Sequence, residues 1–295
     1  MGRYLLLLLL PLCIGCSKSL THEIILCGDT KMMIIDADRS AEDKIKVTWD
    51  WDSRGSDIPD DFEKYFHSID ECKVSMNGKW ILLTSSSSGA AIIERSTCKC
   101  LFHAFVPNAH SIELLPLNRV VVALSHHPSG KGDCIQLYDM SAPDKVLFRD
   151  SLSWGHGVIW MENHKKLFAL GDDVLVDYSL ADWNTDKPYL KENARWKLPT
   201  LGGHDLNRIS DNELGITTNE DVYVFDIENE TFDYFEPLKG KKQVKSFNID
   251  KKSGTLVYTQ AEIDWWTHNI YMKNPDKVFS IDSINMYKVR FVEYD

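Results

Sequence analysis

The sequence predicts an all-β fold, a six-bladed β-propeller whose ring is closed by a C-terminal strand completing the N-terminal blade. Three observations predict it. First, one short pattern recurs: a polar residue opens an apolar run, a turn follows, and a second apolar run begins about ten positions after the opening. It is written at His110-Ser111-Ile112 with Val120 to Leu124 after it, at His156-Gly157-Val158 with Leu167 to Leu170, and at His204-Asp205-Leu206 with Leu214 to Thr217. Lys245-Ser246-Phe247 leads into Leu256 to Thr259, and Glu71-Cys72-Lys73 into Ile81 to Thr84. The openings lie 39, 46, 48 and 41 positions apart, a period that short-stranded propeller blades have. Second, no stretch keeps a helical period over three turns. Third, the N-terminal region offers one strand too few and the C-terminus one too many.

Taken in order, Glu23 to Cys27, Met32 to Asp36 and Ile45 to Trp51 read as three strands, with Gly28-Asp29 as the first turn. Residues 52–66 are an acidic, turn-rich excursion. The second blade runs from Glu71 to Val106, the third from His110 to Ser151, and the fourth from His156 to Pro199. The fifth takes His204 to Leu238 and the sixth Lys245 to about Ile284. Met286 to Val292 remains, and supplies the strand that the first blade lacks. No Gly/Ser linker interrupts the chain, so residues 23–295 read as a single β-propeller domain.

Residues 1–16 read as a signal peptide: Arg3, then an apolar run from Tyr4 to Ile14 too short to span a bilayer. The run ends in Leu12-Cys13-Ile14-Gly15-Cys16, which resembles a bacterial lipobox with Cys13 out of pattern, and predicts lipidation at Cys16. Residues 17–22 are then a tether. The expected location is outside the cytoplasm, on a membrane through the lipid anchor only, facing periplasm or cell surface. Such a compartment permits disulfides, yet Cys27, Cys72, Cys98, Cys100 and Cys134 are an odd number, leaving a thiol over unless chains cross-link. The formal charge of −11 argues against a nucleic-acid partner, which wants a basic face. It also disfavours docking on anionic lipid.

The first strand of each blade lines the central channel, so the openings Glu71, His110, His156, His204 and Lys245 should converge on one mouth. Alternation along a strand then puts Lys73, Ile112, Val158, Leu206 and Phe247 on the channel wall one layer deeper. His67 falls outside, at the rim. The loops on the same face carry Ser85 to Ser88, His126-His127, Asp172-Asp173, Thr218-Asn219 and Gln260 to Trp266. Lys73, His126, Gln260, Trp265 and Trp266 are the expected ligand contacts. The two tryptophans suit a flat platform for a sugar ring, or pack beneath their own loop.

Two chemistries fit the openings. His110, His156, His204 and Glu71 are a ligand set for a divalent metal such as Zn, Mn or Fe. Alternatively, a neutral His is a general base and Lys245 neutralises a carboxylate, which is what β-elimination from a uronic acid requires. The plainest alternative is a hydrated channel that binds only water. A GxSxG elbow, a P-loop, an HExxH pair and an EF-hand loop are all missing from the sequence.

Several stretches together carry a resemblance: Leu26-Cys27-Gly28-Asp29, Trp49-Asp50-Trp51, Asp70-Glu71-Cys72-Lys73, Ala109 to Pro116, Gly155 to Trp160, Gly203-His204-Asp205 and Trp265-Trp266. The chain resembles, over nearly its whole length, a family of uncharacterised six-bladed propeller lipoproteins from gut-type Gram-negative bacteria. More distantly it is similar in fold to oligogalacturonate lyases, which use a metal, and to a rhamnosidase class with a His at the channel mouth. The likeness implies fold and export but no activity. The expectation is a small-molecule or oligosaccharide ligand at the mouth and a lyase or hydrolase acting on acidic oligosaccharide, with or without a metal. In it His110, His156 and His204 are ligands or acid/base groups, Glu71 a further ligand or base and Lys245 the carboxylate partner. A non-catalytic glycan- or protein-binding module is the alternative.

Overall fold

The computed structural model describes residues 22–293. The predicted signal peptide, most of the tether and Cys16 lie outside the described residues. Six antiparallel sheets of four strands each stand around one axis. From the axis outwards, blade 1 is Met286–Phe291, Glu23–Gly28, Lys31–Asp36 and Val47–Asp52, and blade 2 is Ile69–Ser75, Trp80–Ser85, Gly89–Glu94 and Cys100–Phe105. Blade 3 starts on Ala109–Leu115, blade 4 on Gly157–Met161, blade 5 on Asp205–Arg208 and blade 6 on Val244–Ile249. Each innermost strand packs on the next, and Met286–Phe291 packs on those of blades 2 and 6. The ring is thus closed by the C-terminal strand, and that strand takes the innermost place. The excursion over 52–66 holds a four-residue helix, Asp60–Glu63.

The core lies between blades, in six apolar clusters. Cys72, Ile112, Val158, Leu206, Phe247 and Val289 put one innermost-strand side chain into each. Four of these, Ile112, Val158, Leu206 and Phe247, were expected on the channel wall. They are fully or almost fully buried between blades instead. The cause is a bulge at the strand opening. The register slips between Ile69 and Glu71, Ala109 and Ser111, Val244 and Ser246, and opposite Gly28 in the closing strand. An extra residue flips every side chain after it to the other face. His156 and His204 achieve the same by sitting just before their strands.

In consequence the residue matching His110 in blade 2 is Asp70, which sits in the bulge, and not Glu71. Glu71 corresponds to Ser111, one layer deeper. Spacing alone placed it one step too high. The five described cysteines are all free. Cys27 and Cys72 lie at the ring closure, where both thiols donate to the Lys288 carbonyl oxygen at 3.8 and 3.9 Å.

Candidate functional site

One residue from each blade forms the ring at the upper mouth of the channel: Tyr287, Asp70, His110, His156, His204 and Lys245. The imidazoles meet as expected. The His110 and His156 ring centroids are 4.4 Å apart, and those of His156 and His204 5.6 Å. Tyr287 stands edge-on to His110 at 6.4 Å. The loops that deliver these residues also fix their tautomers. His110 Nδ1 lies 3.1 Å from the Asn108 carbonyl oxygen, and His156 Nδ1 2.7 Å from that of Trp154. A carbonyl can only accept, so Nδ1 carries the proton and Nε2 keeps a basic lone pair.

Burial holds these rings neutral. It lowers His110 to about 4. His156 falls well below its ordinary value through burial and its two imidazole neighbours. His204 drops to about 3 through burial and the Lys245 charge. Lys245 itself is brought down to about 8 by burial. Its Nζ lies 2.9 Å from His204 Nε2 and donates to Gln243 Oε1 at 2.9 Å. Asn219 Oδ1 also lies 2.8 Å from His204 Nε2, while buried His204 Nδ1 has no partner. The Lys245 ammonium has three N–H groups and two partners here, which leaves one donor free for an anion. Asp70 receives a hydrogen bond from the Ser86 amide, and burial raises its carboxyl to about 7.

Beneath the ring the channel narrows to a waist of four buried charges. Arg290 pairs with Asp205 at 2.5 Å and with Glu71 at 3.1 Å, and Lys288 lies 3.2 Å from each carboxylate. Ser111 Oγ donates to Glu71 Oε2 at 3.0 Å. Burial by itself would raise the Glu71 carboxyl, but Arg290, Lys288 and Lys73 overcome it and hold it at about 2. Glu71 is therefore a strut of the waist, with its oxygens already taken. It does not complete a metal site with the imidazoles. Among the described residues no group of three or more His, Cys, Asp or Glu is placed to hold a metal. The Lys245 ammonium against His204 opposes a cation there as well.

The other expected contacts scatter. Lys73 lies below the waist, where Nζ donates to the Val158 carbonyl at 2.6 Å and to Ser111 Oγ at 3.2 Å. It is on the channel but on the far side from the imidazoles. His126 stands out on the upper face, paired with Asp133 at 2.8 Å and stacked on Trp154 at 5.5 Å. Gln260 Nε2 donates to the Lys242 carbonyl. Trp265 is 60% exposed, whereas Trp266 is half-buried and edge-on to His268. Of the pair, only Trp265 offers a free face. His67 is exposed, outside the ring. Asp70, Asp205, Tyr287, Lys288 and Arg290 escaped the sequence reading. The signal for Lys288 and Arg290 was present: charged groups alternating with apolar ones in a strand otherwise fit for a core.

The chain matches a family of unknown function, DUF6528, over residues 21–294. It belongs to that family. No curated protein matches it. DUF6528 in this chain is a six-bladed propeller with an imidazole-lined mouth.

Proposed function

We propose that this DUF6528 protein is an exported, lipid-anchored propeller whose upper mouth binds the carboxylate of an acidic saccharide and cleaves it by β-elimination. The observation that supports it is the Lys245–His204 contact beside two imidazoles whose Nε2 is bare. Lys245 receives the carboxylate. His156 Nε2 takes the proton from the carbon next to that carboxylate. As the C–O bond to the leaving sugar breaks, Asp70 in its protonated form gives a proton to the departing oxygen. The electron pair of the broken C–H bond becomes the new C=C bond, and no metal takes part. Anchoring at Cys16 would hold the domain at a membrane where polymer fragments arrive.

The test is to incubate the mature domain with uronate oligosaccharides and follow the ultraviolet absorbance of the unsaturated product. His156→Ala and Lys245→Met should each lower the rate by about 10²-fold or more with the fold intact. The pH profile should rise well below the ordinary imidazole range, where the buried His156 becomes neutral, and fall through about 7, where Asp70 loses the proton it donates, before Lys245 loses its charge at about 8. Saccharide binding without product would instead favour a binding module, for which the exposed Trp265 speaks. Neither binding nor product across the panel would sink the proposal.

A further inference from the structure

The lower mouth holds a cavity of about 340 Å³, within the range of small-molecule sites. It lies on the far side of the charged waist from the imidazole ring. Its charged lining residues are already matched. Lys73 pairs with Glu113 at 3.5 Å, Arg208 with Glu293 at 3.4 Å, and Arg290 with the waist carboxylates. Glu162 is held by Lys165 and by Trp160 Nε1, which donates to it at 2.5 Å. What is left unmatched is an amide. Asn207 lines the cavity and is only 4% exposed, yet neither its Nδ2 nor its Oδ1 has a partner among the described residues. A buried amide without partners is unfavourable, so native structures rarely leave one. Asn248 stands on the neighbouring blade at the matching position, with Oδ1 accepting from the Phe291 amide at 3.0 Å.

We infer that this cavity is a second ligand site, built for a small uncharged polyhydroxy molecule of monosaccharide size. An ionic ligand would have to break a formed ion pair to enter. A vicinal diol would not: one hydroxyl donates to Asn207 Oδ1 while the neighbouring oxygen accepts from Nδ2. Trp160 lines the same cavity and supplies apolar surface for the C–H face of a sugar ring. The site is separate from the carboxylate mouth and does not depend on the elimination chemistry.

Saturation-transfer NMR on the mature domain tests it. The probes are D-glucose, D-galactose, D-mannose, L-rhamnose and N-acetyl-D-glucosamine, with D-glucuronate as the charged control. At least one neutral sugar should bind, more tightly than glucuronate. Asn207→Leu should weaken it tenfold or more, whereas Lys245→Met should leave it unchanged. Asn207→Ser replaces Asn207→Leu if the latter does not fold, and should also weaken binding. The inference is overturned if no neutral sugar binds, if binding survives loss of the amide, or if Lys245→Met removes it. It is equally overturned if glucuronate is the preferred ligand.

Discussion

The two mouths of the channel differ in what they leave unpaired. The upper one keeps bare imidazole nitrogens and an ammonium with a spare donor. The lower one neutralises every charge and keeps an amide. Both are built from the same six strands, separated by the height of one layer of ion pairs. The difference teaches that an alternating strand can serve two chemistries at its two ends when a charged waist keeps them apart. Asp205 and Asn207 make the point: they are neighbours by alternation, one neutralised within the waist and one orphaned below it.

Removing the waist should break the comparison most severely. Glu71→Gln leaves Lys288 and Arg290 short of one counter-charge in a fully buried place, and should destabilise the fold by about 3–5 kcal/mol in urea unfolding. The same carboxylate sets the acid limit. Its folded pKa of about 2 lies below the ordinary 4.5, so its stabilising contribution is complete above 4.5 and is lost as pH falls through about 2. Acid unfolding of the parent should therefore steepen across that window, and Glu71→Gln should flatten it.

Asp70 has the opposite sign and sharpens the upper mouth. Its folded pKa of about 7 exceeds the ordinary 3.8, so its contribution is complete below 3.8 and is lost as pH rises through about 7. Asp70→Asn can keep the Ser86 hydrogen bond without the charge. It should raise stability at pH 8 relative to the parent, by roughly 1–3 kcal/mol, and change little at pH 4. A melting comparison at the two pH values checks this, and an equal shift at both would refute the burial argument.

Trp265→Ala should have the smallest effect on the fold. Its ring is exposed, so stability should move by no more than about 0.5 kcal/mol. Saccharide affinity at the upper mouth should fall, and affinity for a neutral sugar below should stay as it was. A parallel loss at both mouths would contradict their independence.

The blade count, the order of the blades, the closure by Met286–Phe291 and the meeting of His110, His156, His204 and Lys245 were legible in the sequence. These follow from local signals, since apolar runs and turns repeat wherever a blade repeats. What lies against those residues was not legible. The bulges that moved Asp70 into the ring and Glu71 into the waist add one residue to a strand without altering its composition. Periodicity therefore cannot see them. The innermost place of Lys288 and Arg290 depends on which edge of blade 1 the last strand joins. Glu71 and Arg290 are 219 positions apart in the chain yet 3.1 Å apart in space. The sequence by itself determined that six blades form and which side chains open them. Only the tertiary structure decided which charges those side chains meet, because Coulomb partners and burial are set by neighbours across the ring and not by neighbours along the chain.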